Sequence, residues 1–142
     1  VLSSEKKKVS SRDGMKIAAK DFYNNGLYRK YVEIEEEYVK SLEKAFKERD
    51  LSTIFDITIK SALNLHAIVL AYPDNGIPIF YLYNESLILA EKFMETIRAE
   101  GILGAYTFDA GPNPFFIVET KNEELVLNML KQNGITSYVS RL

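Results

Sequence analysis

The stretch Ala105-Tyr106-Thr107-Phe108-Asp109-Ala110-Gly111-Pro112-Asn113-Pro114-Phe115-Phe116-Ile117-Val118-Glu119 decides the fold. Its two ends read as strands, Ala105 to Phe108 and Phe115 to Glu119, and the Gly-Pro-Asn run between them reads as a loop. Upstream, Ile79 to Tyr83 has strand character, and Asn84 is placed to cap a helix running through Ala99. Downstream, Thr120 with Glu123 in capping-box position opens a helix that Gly134 stops, and Thr136 to Val139 reads as a last strand. The order is β-α-β-β-α-β, the ferredoxin-like unit of an α+β fold: one antiparallel sheet covered on one face by two helices.

The other face of that sheet also needs cover, and the first half of the chain is helical. After a strand-like Val1 to Ser10, a helix is predicted with Ser11 as N-cap and Asp13 in its first turn, running to Tyr23 before the stop Asn24-Asn25-Gly26. A second helix carries Tyr31, Ile34, Tyr38, Leu42 and Ala45 at helical spacing, with Glu33, Glu36, Glu37, Lys40 and Lys44 forming a wet face. The third, from about Ser52 to Tyr72, is apolar around nearly its whole circumference and is expected to be the buried one. Pro73, Asp74, Asn75, Gly76 and Pro78 then break the chain. Both halves together make a single domain over residues 1–142.

Composition narrows the function. A chain of 142 residues, 46% hydrophobic and 12% aromatic, folds around one core. A formal charge of −2 argues against nucleic acid as a partner, because neutralising phosphates needs a basic face. The cluster Lys6, Lys7, Lys8 and Arg12 is a solvated flank or one wall of a polyanion site. The absence of cysteine excludes disulfides, thiolate metal sites and a cysteine nucleophile, and makes a cytoplasmic protein the default. No apolar run is read as membrane-spanning and no signal peptide is recognised, so no membrane partner is expected. The chain starts at Val1 and reads as the interior of a longer protein.

Asp109 is the candidate for chemistry. A carboxylate at a strand end, flanked by Ala110 and Gly111, can approach a substrate hydroxyl closely as a base. The plainer reading is an Asx-turn, in which the carboxylate binds its own backbone and holds the loop. Val9-Ser10-Ser11-Arg12-Asp13-Gly14-Met15 offers hydroxyls, a guanidinium and helix N-terminal N–H groups suited to a phosphate, or it is only a capped helix start with an exposed Arg. His66, the one histidine, has no second histidine with which to build a metal pair and reads first as a packing residue. Phe80, Tyr81 and Tyr83 read as sheet core, and no glycine-rich phosphate loop is present, so cofactor-binding residues are unassigned and no metal ligands are expected.

Val9 to Met15, Leu65-His66-Ala67, Pro78-Ile79-Phe80-Tyr81 and Tyr106 to Asn113 occur in the order seen in the C-terminal half of mevalonate diphosphate decarboxylases, in the GHMP kinase superfamily. The chain resembles that family along essentially its whole length, and Thr-Phe-Asp-Ala-Gly-Pro-Asn is the most diagnostic part. The resemblance implies a GHMP kinase C-terminal-type fold whose N-terminal, nucleotide-binding half is absent. It also implies, for the intact enzyme, use of ATP and Mg²⁺ to phosphorylate the C3 hydroxyl of diphosphomevalonate, followed by loss of phosphate and CO₂ to give isopentenyl diphosphate. Asp109 matches the family's essential aspartate, and Ser11 and Arg12 match positions that bind the substrate diphosphate.

Taken alone, the chain is expected to be inactive and to bind no cofactor; a homodimer is a possible assembly. Ile77 replaces the first proline of a common Pro-Pro pair, and Ala62-Leu63 stand where many members carry Ser-Asn. Relatives that act on mevalonate, mevalonate 5-phosphate or mevalonate 3,5-bisphosphate, as decarboxylases or 3-kinases, therefore stay open as alternatives. So does a non-catalytic interaction domain of the same fold.

Overall fold

A computed structural model describes residues 9–20, 22–24, 26–79, 81 and 84–141. In chain order these form α1 (Ser11–Ala19), α2 (Leu27–Glu48), α3 (Leu51–Ala71), α4 (Asn84–Ala99), β1 (Gly104–Phe108), β2 (Pro114–Val118) and α5 (Glu123–Gln132). Single 3₁₀ turns lie at Phe22–Asn24 and Thr120–Asn122. The α+β class stands, with the hairpin read from Ala105 to Glu119 at its centre. β1 and β2 pair antiparallel from Gly104 opposite Val118 to Phe108 opposite Pro114.

Strand alternation sends Tyr106, Phe116 and Val118 to one face, where they meet Leu89, Phe93 and Ile97 of α4 and Val126, Met129 and Leu130 of α5. Phe93 is fully buried and lies against Phe116 with ring centroids 4.4 Å apart. This first core is aliphatic and aromatic, and α5 closes it: the Ile135 N–H reaches back to the Leu130 carbonyl at 3.0 Å across Gly134. Gly134 has φ +69°, a left-handed conformation that costs glycine nothing, so the predicted stop is where the helix ends.

A second core joins Ile68 and Val69 of α3 to Ile79 and Tyr81, with Val9, Met15, Ile17, Tyr28, Tyr31, Tyr72 and Ala110 packed around it. Here tyrosine hydroxyls fasten main chain. The α2 N-cap, Gly26, supplies no side-chain acceptor, and the Tyr28 N–H instead donates to the Tyr72 hydroxyl at 3.2 Å. α3 itself starts on Asp50, which accepts from the Thr53 N–H at 3.1 Å.

Several expectations change in detail. The cap of α1 is Ser10, extended at φ −67° and ψ 152°, not Ser11, and the helix stops at Ala19 rather than Tyr23. The strand expected over Val1 to Ser10 falls mostly outside the described residues, as do Lys6, Lys7 and Lys8. Ile79 and Tyr81 are buried but carry no strand ladder, and the remainder of that expected strand, residues 80, 82 and 83, also lies outside the described residues. Thr136 to Val139 forms no ladder either: Tyr138 is 84% exposed, and the tail returns to α5, where Arg141 forks onto both Glu123 oxygens at 2.9 Å. Thr120 starts a 3₁₀ turn instead of capping α5, whose first turn follows Asn122 without a side-chain cap.

α3 is long and apolar enough to cross a membrane by length and composition, contrary to the sequence reading that no such run exists. It packs against α2 and β1, and it pairs Lys60 with Asp56 at 2.6 Å on its wet side. It is not buried all round, since Leu63 and Leu70 stay exposed.

Candidate active site

Asp109 follows the last residue of β1 directly, and its side chain is exposed. It makes no hydrogen bond or ion pair with any described residue, so the Asx-turn reading fails. What holds the loop is its backbone. Ala110 packs into the second core, Gly111 is buried, and the Pro112 carbonyl accepts from the Ser86 hydroxyl at 2.6 Å. Ser86 is itself fully buried near the start of α4. A free carboxylate on a fixed main chain is the arrangement a base requires, because its aim does not have to be recovered at each encounter.

The second candidate segment opens α1. The Ser10 side chain accepts from the Asp13 N–H at 3.2 Å and donates to Asp13 Oδ2 at 2.6 Å, while the Ser10 carbonyl accepts from the Gly14 N–H at 2.9 Å. Asp13 is thereby occupied within its own turn, with Lys16 at 3.9 Å adding a surface ion pair. Ser11 is half-buried as the first helical residue, and Arg12 is exposed with no ion pair among the described residues. An uncommitted guanidinium beside first-turn N–H groups suits an anion with several oxygens.

These segments, far apart in sequence, share a support. Val9 and Met15 from one and Ala110 from the other pack on the same Ile68, Val69, Ile79 and Tyr81. The Tyr81 hydroxyl donates to the Ser10 carbonyl at 2.9 Å. Burial, and behind it the charge of Asp13, holds that phenol above its ordinary pKa and so keeps it a donor. His66 stands edge-on to Tyr81 at 6.3 Å and to Phe108 at 5.9 Å, bridging the two sides as a packing residue.

Among the described residues no three His, Asp or Glu side chains cluster as metal ligands. A separate groove of ≈ 320 Å³ runs along α4 past Leu87, Met94, Arg98 and Tyr106 and contains none of the candidate residues.

The sequence reading missed Ser86 and the hydroxyl of Tyr81. Ser86 had a signal: it stands on the same helical face as Leu89, Ala90, Phe93 and Ile97, where an isolated polar group needs a partner. Tyr81 had none, since tyrosine and phenylalanine are interchangeable in a strand pattern.

Comparison with known proteins bears on what the site belongs to. The family described as Mevalonate 5-diphosphate decarboxylase C-terminal domain matches residues 1–138. The diphosphomevalonate decarboxylase of Candida albicans is 32% identical over 133 residues, covering 92% of this chain and 34% of that protein. The crystal structure of mevalonate diphosphate decarboxylase from Staphylococcus aureus superposes with a TM-score of 0.78 at 27% identity, over 93% of this chain and 38% of that one. A structure described as "MDDEF in complex with MVAPP, AMPPCP and Magnesium" gives a TM-score of 0.77 at 30% identity, over 93% and 38%. The chain spans about a third of the length of the curated relatives it matches. With nearly every residue inside the match, the chain belongs to the mevalonate 5-diphosphate decarboxylase C-terminal domain family.

Proposed function

We propose that this chain is the C-terminal part of an ATP-dependent diphosphomevalonate decarboxylase, in which Asp109 acts on the C3 hydroxyl and Ser11 and Arg12 hold the diphosphate. The observation that carries the reading is the state of Asp109, an exposed carboxylate with no partner among the described residues on a loop fixed by Ser86 and Ala110. A tertiary alcohol is a poor nucleophile. A carboxylate within hydrogen-bond reach aims its oxygen and accepts its proton as that oxygen is phosphorylated. Arg12, with its fork of donors, and the Ser11 hydroxyl fix the far end of the substrate, so binding energy there orients the hydroxyl at Asp109.

The nucleotide supplies the phosphoryl group when bound. ATP and Mg²⁺ enter this reading as the nucleotide and cation of the intact enzyme, to which this chain contributes Asp109, Ser11 and Arg12. The solved relative described with MVAPP, AMPPCP and magnesium supports that pairing of ligands.

The test is Asp109→Asn in the intact protein. The exposed substitution should leave the melting temperature in place while CO₂ release falls on the order of a hundred-fold or more. Undiminished turnover by the variant would remove Asp109 from the chemistry.

A further inference from the structure

The geometry points to Tyr81 as a positioning residue that sets the Ser11–Arg12 turn against the Asp109 loop. The inference rests on the reading of Ser11 and Arg12 as anion-binding groups and goes one step behind it, to what holds them. Ser10 and Tyr81 are 71 residues apart, and the phenol donates to a carbonyl that already accepts the Gly14 N–H. That carbonyl immediately precedes the peptide nitrogen of Ser11, so its direction sets the direction of the first-turn N–H groups offered to an anion.

The fit around the phenol is close. A Cβ at position 14 would stand 2.5 Å from the Tyr81 oxygen and only 3.6 Å from the ring carbon that bears it. Gly14 therefore leaves room for the hydroxyl and nothing larger. On its other side the Tyr81 ring meets His66, whose second ring contact is Phe108, the residue before Asp109. Ala110, the residue after Asp109, packs into the same core as Tyr81. One buried side chain thus bonds the anion-binding turn through its hydroxyl and backs the Asp109 loop indirectly, through His66 against Phe108 and through the core on which Ala110 packs.

The experiment is a cycle of Tyr81→Phe, Gly14→Ala and the double variant in the intact protein, with Arg12→Ala as reference and steady-state turnover of the diphosphate substrate as readout. Losing one neutral hydrogen bond should raise KM about five-fold in Tyr81→Phe while kcat changes by less than about two-fold. Gly14→Ala keeps the phenol but pushes it off the Ser10 carbonyl, and should raise KM at least as far. Adding Gly14→Ala to Tyr81→Phe should then cost nothing more, because without the hydroxyl the methyl meets only Val69 Cγ1 at 3.5 Å and the ring carbon at 3.6 Å, both ordinary contact distances.

An Arg12→Ala rise in KM with no change in Tyr81→Phe overturns the role of Tyr81 and leaves the anion-binding reading intact. A Tyr81→Phe variant that loses kcat and melting temperature but keeps its KM overturns it too, as a structural effect. If Arg12→Ala itself leaves KM unchanged, the anion-binding reading falls and takes this inference with it. Should Tyr81→Phe fail to fold, Gly14→Ala alone decides: a raised KM supports the proposal and an unchanged one refutes it.

Discussion

The two cores of this domain are built on different principles. Between the sheet, α4 and α5 the side chains are almost wholly apolar: Leu89, Phe93, Ile97, Val126, Met129 and Leu130 interdigitate and hold one another by volume. Around α3 the buried set is smaller, and its rim carries Tyr28, Tyr31 and Tyr72, with Tyr81 inside it. There the ring packs and the hydroxyl fastens a backbone group, at Ser10 for Tyr81 and at Tyr28 for Tyr72. The first core makes the hairpin rigid, while the second fixes where α1 and α2 begin. Asp109 sits between them: its loop is pinned to α4 through Ser86 and laid on the second core through Ala110.

The sharpest way to break this contrast is to make a hole in the first core. Phe93 is fully buried and packed against Phe116, so Phe93→Ala should cost about 3–5 kcal/mol in denaturant unfolding of the intact protein. In the second core the informative change removes an atom rather than a volume. Tyr72→Phe keeps the ring and deletes the acceptor of the Tyr28 N–H, leaving α2 without a cap acceptor at that position. The expected cost is about 1 kcal/mol, because the freed N–H is partly hidden from water. If Tyr72→Phe proved as damaging as Phe93→Ala, the distinction between a core held by volume and one held by hydroxyls would not stand.

The same contrast separates what the sequence discloses from what it conceals. Apolar patterning found α2 and α3, and cap and stop residues marked α4 and α5, because an apolar stripe at helical spacing and a Gly stop have few other uses. The hairpin was legible from its strand-like ends and the Gly-Pro-Asn loop. The outer strands were not: Ile79, Tyr81 and Thr136 to Val139 have strand composition, but pairing is a relation between segments that composition does not encode. The start of α1 was displaced by one residue because Ser10 and Ser11 are equally good caps, and only the extended backbone at Ser10 chooses between them.

At the site, Asp109 was legible as a residue but its state was not. An Asx-turn and a free carboxylate have identical sequences, and the difference lies in Ser86 and Ala110 having already secured the loop. Arg49, which ends α2 at φ 56° where glycine would usually stand, gave no signal at all.

The smallest expected effect, and the one that sharpens the comparison most, is alkaline. Burial raises the pKa of Tyr31 and Tyr81 in the second core and of Tyr106 in the first; Glu35 adds to the shift of Tyr31 and Asp13 to that of Tyr81. A tyrosine is neutral below its pKa, and a raised folded value means that the folded state keeps its proton when the unfolded chain has begun to lose it. Stability from these groups is therefore fully present below about pH 10, where unfolded tyrosine titrates, and is lost as pH rises through the higher folded values. Unfolding free energy measured against pH should be flat with respect to these groups up to that point and fall beyond it. Replacing Tyr31 and Tyr81 together by phenylalanine should flatten the alkaline limb more than Tyr106→Phe does, since two of the three shifted phenols belong to the core whose hydroxyls hold main chain. An equal flattening by Tyr106→Phe alone would mean that the first core depends on its phenol as much as the second does, and the division of labour between them would be lost.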